Sequence, residues 1–122
     1  MKQHILVIDD EAAVCKLLSN YFTLHDYEIT MCGTVKEGQR LIQELTFTLV
    51  VLDIALPDGD GLKLLGWIKD AQPNLPVILM TGMGWDPELM EEAMRKKASA
   101  YVVKTLPLSQ LLMEIRRVLK TP

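Results

Sequence analysis

The chain has 122 residues, the length of one compact domain, and 49% of them are hydrophobic and spread along the whole sequence. Its formal net charge of -3 arises from interleaved acidic and basic residues, which argues against a nucleic-acid-binding surface as the main activity. We therefore expect a single domain over residues 1–122 that has its own core and does not bind nucleic acid directly.

The apolar residues near the start of the sequence are not expected to form a membrane or export signal. The apolar stretch of the N-terminus ends at Asp9 and Asp10, so it is too short for a secretory signal or a membrane span. We expect a cytoplasmic protein that does not bind a membrane. Cys15 and Cys32 lack the spacing of metal ligands, and we expect both to be free thiols in a reducing compartment.

Short apolar runs rich in Val, Ile and Leu alternate with segments of helical periodicity, which is typical of βα units around a parallel sheet. The predicted strands are His4–Ile8, Glu28–Met31, Leu49–Leu52, Val77–Met80 and Ala100–Val103. Right-handed βα units of this length predict an α/β fold of the flavodoxin-like, doubly wound type. We expect a five-stranded parallel sheet in the order 2-1-3-4-5 with five helices, arranged as a three-layer sandwich.

Apolar residues at helical spacing predict the helix faces that cover the sheet. They are Val14, Leu17, Leu18 and Tyr21 in the first helix, Leu62, Leu65 and Ile68 in the third, and Leu108, Leu111, Leu112, Ile115 and Leu119 in the fifth. Thr34 and Glu37 have the spacing of a capping box at the start of the second helix. Asp86, followed by Pro87, marks the start of the fourth.

Three carboxylates follow two of the predicted strands. Asp9 and Asp10 come after the first strand, and Asp53 ends the third. In the predicted strand order these two strands are neighbours, and ligands of such folds bind beyond the carboxyl ends of the strands. Carboxylates that converge oppose each other's ionisation, so the cluster favours a cation. Oxygen ligands with few protein donors suit Mg²⁺.

Two further polar residues end the last strands of the sheet. Thr81 follows the fourth strand and Lys104 follows the fifth. A hydroxyl and an ammonium opposite a metal-bound carboxylate form a site suited to a phosphoryl group. The segment "PDGDG" after Asp53 has the composition of a turn, and we expect Asp58 and Asp60 to be solvated or to cap a helix rather than to bind metal.

The segments "VIDDE", "LVVLDIALPDGDGLKLL", "PVILMTG" and "AYVVKT" occur in this order over essentially the whole chain. Together they resemble the receiver domain of two-component response regulators. This resemblance implies that Asp53 is the phosphoacceptor. It also implies that Asp10, Asp53 and the backbone carbonyl of Ala55 hold Mg²⁺, with Asp9 acting largely through water.

The resemblance also implies a mechanism and partners. Thr81 and Lys104 would contact the phosphoryl oxygens, and Tyr101 would change rotamer on activation. The phosphoryl group would come from a sensor histidine kinase or a phosphotransfer domain. The surface of the fourth helix, fifth strand and fifth helix would then change its partner binding, which includes a possible homodimer. Such a domain is not an enzyme in the usual sense, because it catalyses only its own phosphorylation and slow dephosphorylation.

Several positions depart from the family pattern. Thr105 follows Lys104 where the family usually has Pro, and a cis bond before a non-Pro residue costs about 2.5–4 kcal/mol, so we expect a trans peptide. Lys97 stands where the family usually has Gly. If this residue is left-handed, its side chain destabilises the fold by roughly 1 kcal/mol relative to glycine. Ala55 and Met83 are apolar at positions where an acid or amide side chain could orient an attacking water. This predicts slow dephosphorylation.

Three other functions stay open. A Mg²⁺-dependent aspartyl-phosphate phosphohydrolase would need a second Asp two residues after the nucleophile, where this chain has Ala55. A flavodoxin-type cofactor binder would need a phosphate loop after the first strand, where Asp9, Asp10 and Glu11 would repel a phosphate. If the acidic site does not accept a phosphoryl group, the domain would be a constitutive binding module.

Overall fold

The computed structural model describes residues 2–82, 84, 86–104 and 107–120. Strands and helices alternate along this part of the chain. They are β1 (His4–Ile8), α1 (Ala12–Leu24), β2 (Glu28–Cys32), α2 (Val35–Glu44), β3 (Leu49–Asp53), α3 (Gly61–Ala71), β4 (Val77–Thr81), α4 (Pro87–Arg95), β5 (Ala100–Val103) and α5 (Leu108–Leu119). A short antiparallel pair, Ala55–Leu56 with Gly59–Asp60, lies between β3 and α3.

The sheet is parallel and has the strand order β2-β1-β3-β4-β5, which confirms the predicted topology. The strands β2, β3 and β4 each run one residue further than predicted, because pairing with the neighbouring strand continues to that residue. Cys32 pairs with Ile8, Asp53 with Met80, and Thr81 with Val103. The polar residues Asp53 and Thr81 are therefore the last residues of their strands and are held by the sheet.

The two faces of the sheet bury two separate hydrophobic clusters. One contains Leu6, Ile8, Val50, Leu52 and Leu79 with residues of α2, α3 and α4; the other contains Ile5, Val7, Leu49, Val51 and Ile78 with residues of α1 and α5. Strands that are covered on both faces explain the continuous apolar runs of the sequence. The three-layer sandwich is confirmed.

The first helix contains the one error among the predicted sheet-facing residues. Leu17 is 55% exposed, whereas Leu18 and Phe22 are buried. The buried stripe of α1 runs through Leu18 and Phe22, which lie one turn apart, and Leu17 lies about 100° away around the helix. The prediction for Leu17 was wrong because apolar spacing alone does not locate the centre of a helix face.

The start of α2 is capped from two directions. The Thr34 hydroxyl accepts a hydrogen bond from the backbone N–H of Glu37 at 3.1 Å, which confirms the predicted N-cap. The Asp58 carboxylate, which lies in the hairpin after β3, accepts from the backbone N–H groups of Val35 and Lys36 at 2.7 and 3.1 Å. The segment after Asp53 is thereby fixed to the N-terminus of α2.

The other predicted capping residues behave as expected. Asp60 accepts from the N–H of Leu62 at the start of α3. Asp86 accepts from the N–H of Glu88 at the start of α4, and Pro87 is the first residue of that helix. Asp60 and Asp58 therefore cap helices, as the turn composition of their segment indicated.

The helix α4 ends in a Schellman motif that requires a left-handed residue. The N–H of Lys97 donates to the carbonyl of Met94, and the N–H of Ala98 donates to that of Ala93, both at 3.0 Å. Lys97 has φ 69°. The left-handed conformation considered for Lys97 is thus present, with a side chain at a position that favours glycine.

None of the helices in the described ranges combines the length and apolar character that crossing a bilayer requires.

Candidate functional site

The predicted carboxylates converge at the carboxyl edge of the sheet. Asp9 and Asp10 follow β1, and Asp53 ends β3, the strand next to it. One oxygen from each of the three side chains lies within 4.8 Å of the others. Asp9 and Asp53 are buried, and Asp10 is exposed. The site thus has a buried floor and one carboxylate open to solvent.

The donors of this cluster fit a hard divalent cation. Carboxylate oxygens are the ligands that Mg²⁺ prefers, and an exposed Asp10 leaves room for the waters that Mg²⁺ keeps. Ala55 lies just beyond Asp53, and its N–H donates to the Asp53 carboxylate at 3.3 Å. This contact keeps the Ala55 backbone beside the cluster. The ligand role of its carbonyl stays a prediction.

Lys104 reaches the cluster from the end of β5. Its Nζ lies 2.8 Å from Asp9 Oδ2, 3.0 Å from Asp53 Oδ2 and 2.6 Å from Glu11 Oε1. Burial alone would lower the pKa of Lys104, but the hydrogen bonds to the three carboxylates raise it above its ordinary value. Lys104 is therefore a permanent cation within the site at neutral pH.

The pKa of Asp53 is raised, so Lys104 does not fully offset the effects of burial and of the neighbouring acid. Burial raises the pKa of Asp53 most, and the charge of Asp9 raises it further. The hydrogen bond from Lys104 opposes these effects without cancelling them. The ionised cluster is thus stabilised by any further cation that binds there.

Thr81 and Tyr101 lie on the neighbouring strands β4 and β5. Thr81 is buried at the end of β4, and Tyr101 is partly buried against the core beneath α3 and α4. Burial raises the pKa of the Tyr101 hydroxyl, the charge of Asp86 adds to this, and a side-chain hydrogen bond with Thr81 opposes it. The hydroxyl groups of the two residues that the resemblance assigned to switching therefore lie close to each other.

The two cysteines are free thiols, as expected. The Cys15 Sγ donates to the backbone carbonyl of Asp9 at 3.2 Å. Burial is the main cause that raises the pKa of both thiols, that of Cys32 to about 11. Both thiols are therefore protonated and weakly nucleophilic at neutral pH.

Sequence reasoning missed the role of Glu11. We considered it only as a charge that would repel a phosphate loop, yet its carboxylate makes the shortest of the Lys104 contacts. The signal was present in "VIDDE", where a third acid directly follows the two site aspartates. The predicted trans bond before Thr105 and the role of Met83 lie outside the described residues.

The chain has a doubly wound parallel sheet, with carboxylates and a lysine together at the carboxyl ends of its central strands. This combination is typical of α/β domains that bind a phosphoryl group and a metal ion. The family model of the response regulator receiver domain matches residues 5–116. The chain belongs to this family, which confirms the resemblance seen in the sequence. Receiver domains are signalling modules of two-component systems, and their general role is that of a phosphorylation switch.

A curated relative supports the assignment. The regulatory protein AtoC of Escherichia coli K12 is 33% identical over 116 residues, which is 95% of this chain and 25% of AtoC. The chain thus spans about a quarter of the length of that relative.

Solved structures agree with the sequence relatives. A CheY-like response regulator receiver domain from Methanospirillum hungatei JF-1 superposes with a TM-score of 0.93 at 28% identity, covering 98% of this chain and 95% of the other. The beryllofluoride-activated NtrC4 receiver domain dimer superposes with a TM-score of 0.90 at 31% identity, covering 96% of each chain. Receiver domains generally bind Mg²⁺ at an acidic pocket, and the Asp9, Asp10 and Asp53 cluster is the corresponding feature of this chain.

Proposed function

We propose that Asp53 accepts a phosphoryl group from the phosphohistidine of a sensor histidine kinase or a phosphotransfer domain, in the cytoplasm, and that residues 1–122 act as one switch domain. The observation that carries this proposal is the position of Asp53. Its buried carboxylate lies within 4.8 Å of two other carboxylates and 3.0 Å from the Lys104 ammonium. The carboxyl edge of the sheet thus brings together a nucleophile, a site for a metal cation and a lysine that can bind a phosphoryl group.

In the proposed reaction an oxygen of Asp53 attacks the phosphorus, the bond between phosphorus and the imidazole nitrogen breaks, and an acyl phosphate forms on Asp53. Lys104 donates a hydrogen bond to a phosphoryl oxygen. Mg²⁺ bound to Asp10, Asp53 and the Ala55 carbonyl, with Asp9 acting through water, would offset the charge that develops on the transferring group. Asp9 also orients Lys104, through their 2.8 Å contact.

The proposed output is a change in the surface formed by α4, β5 and α5. Thr81 moves toward the acyl phosphate, and the neighbouring Tyr101 follows into the space released. On this surface Met94 and Met113 are exposed apolar side chains that a partner or a second copy would cover. Direct nucleic-acid binding is not part of the proposed function.

We also infer that the domain hydrolyses its own acyl phosphate slowly when no other protein assists. Ala55 is exposed two residues after Asp53, where an acid or amide could orient water toward the phosphorus. Its methyl group offers no such contact. The substitution Ala55→Asn is expected to shorten the lifetime of the acyl phosphate severalfold in a time course quenched with detergent and read by intact mass, and an unchanged lifetime would contradict the inference.

Intact-mass spectrometry after incubation with acetyl phosphate tests the proposed function. We expect a gain of one phosphoryl group that requires Mg²⁺ and is absent from Asp53→Asn. The matched control is Asp58→Asn, which removes a nearby carboxylate that caps α2 and lies outside the acidic cluster, so its modification should persist.

Two results would overturn the proposal. A wild-type protein that gains no mass and does not respond to beryllofluoride would be a constitutive binding module. Rapid multiple turnover of small phosphate esters would instead indicate a phosphohydrolase.

A further inference from the structure

The Lys104 ammonium is surrounded by three carboxylates and donates hydrogen bonds to two of them. An ammonium has three N–H donors. The Nζ atom has a carboxylate oxygen of Asp9, Glu11 and Asp53 within 3.0 Å. Hydrogen bonds to Glu11 and Asp53 occupy two of these donors, and Asp9 attracts the ammonium as an ion pair. An incoming phosphoryl oxygen therefore competes with these carboxylates for Lys104.

The three carboxylates differ in how easily they release Lys104. The side chains of Asp9 and Asp53 are 0% and 6% exposed, whereas that of Glu11 is 58% exposed. A buried carboxylate that loses its cation is left without solvation. Glu11 is hydrated by bulk water as soon as it lets go, because exposed ion pairs are only weakly stabilising. Glu11 is thus the partner that gives way.

We propose that Glu11 is a positioning residue that takes one hydrogen bond of the Lys104 ammonium and competes with the phosphoryl group for it. This inference rests on the proposed function, since it concerns how strongly the same site takes a phosphoryl group. Removing the Glu11 contact frees one donor of Lys104 in advance. The affinity for a phosphoryl mimic should then rise by about two- to fivefold, the size expected for loss of one exposed ion pair.

The test is a titration with beryllofluoride at saturating Mg²⁺, followed by tryptophan fluorescence, on the full chain. Glu11→Gln should bind about two- to fivefold more tightly than wild type. Glu11→Asp keeps the charge but is one methylene shorter, so it loses the short contact with Lys104 and should also bind more tightly. Glu28→Gln removes an exposed charge at the first residue of β2, at the opposite edge of the sheet, and should match wild type.

Each other outcome overturns the inference in a recognisable way. If wild type binds beryllofluoride and Glu11→Gln binds it with equal or lower affinity, the inference is wrong and the proposed function is unaffected. Tighter binding of Glu11→Gln alone, with Glu11→Asp equal to wild type, shows that the charge of Glu11 acts directly on the anion and not through Lys104. A wild-type protein that does not bind beryllofluoride overturns the proposed function and this inference together.

Discussion

Lys104 and Asp53 meet across an intervening strand. Lys104 follows β5 and Asp53 ends β3, yet Nζ lies 3.0 Å from Asp53 Oδ2 because the side chain extends over the end of β4. The ammonium lies inside the acidic cluster, at 2.8 Å from the buried carboxylate of Asp9 as well. Lys104 is therefore a structural counter-ion of the two buried carboxylates, in addition to its proposed contact with a phosphoryl group.

The first prediction concerns this counter-ion. Lys104→Met should lower the free energy of unfolding by about 3–5 kcal/mol in EDTA, because two buried carboxylates lose the close cation that the described residues provide. Saturating Mg²⁺ should reduce the difference from wild type, since a divalent cation replaces the lost charge. Urea unfolding with and without Mg²⁺ measures both effects.

The control for this prediction is Lys16→Met, which removes an exposed lysine of α1. It should change the free energy of unfolding by less than about 0.5 kcal/mol in either condition. An equal loss of stability in the two variants, or a Lys104→Met effect that Mg²⁺ leaves unchanged, would contradict the counter-ion role.

The second prediction concerns the close approach of α3 to Asp53. A Cβ atom at Gly61 would lie 2.3 Å from the carbonyl oxygen of Asp53 and 2.7 Å from Ile54 Cα, and both are backbone atoms. Gly61→Ala should therefore lower the free energy of unfolding by about 2–3 kcal/mol, as expected for overpacking against a rigid neighbour. It should also weaken Mg²⁺ binding, because the backbone that must move carries Asp53.

Gly66→Ala is the matched control on the same helix. At Gly66 a Cβ meets only the end of the Lys96 side chain, at 4.0 Å. Alanine is the better helix former, so this variant should be about 0.5–1 kcal/mol more stable than wild type. Thermal and urea unfolding of the two variants should give effects of opposite sign, and a tolerated Gly61→Ala would show that the chain can relax there.

The core of the fold and the acidic cluster were predictable because their signals are local. Asp53 ends one apolar run, and Asp9 and Asp10 follow another. Once the strand order is known, these carboxylates are expected to lie together at the edge of the sheet. The order follows from the handedness of βα units. Strand ends were one residue short, because pairing between strands, and not residue type, decides where a strand stops.

The remaining features depend on contacts between distant parts of the chain. Glu11 gains its role only because Lys104, 93 positions later, reaches it from β5. Asp58 was expected to be solvated or to cap a helix, but no local pattern shows that the helix is α2, which begins 23 residues earlier. Leu17 had the right spacing for a buried face and lies outside it, since the centre of that face is set by packing against the sheet.

The third prediction uses the cap that Asp58 provides to α2. The backbone N–H groups of Val35 and Lys36 hold the pKa of Asp58 below its ordinary value of 3.8. A carboxyl group with a lowered pKa stabilises the fold above the pKa of the unfolded chain, and this stabilisation is lost as the pH falls through the folded pKa. Asp58→Asn should therefore unfold at a lower temperature than wild type at pH 7.

The pH dependence distinguishes the charged cap from other effects. The difference in melting temperature between wild type and Asp58→Asn should shrink as the pH falls below about 4, because the unfolded chain then binds a proton at this position more readily than the folded protein does. Calorimetry from pH 7 to pH 3 measures it. A difference that stays constant over this range would show that the ionised carboxylate is not what caps α2.

The fourth prediction concerns the strained end of α4. Lys97 has φ 69° because the Schellman motif needs a left-handed residue after the C-cap, and a side chain there costs roughly 1 kcal/mol relative to glycine. Lys97→Gly should therefore raise the free energy of unfolding by up to about 1 kcal/mol. The adjacent Lys96, at φ -85°, has no such strain, so Lys96→Gly should be neutral or destabilising. Urea unfolding of the two variants tests the conformation directly: if both glycines have the same effect, the left-handed strain at Lys97 does not limit the stability of the domain.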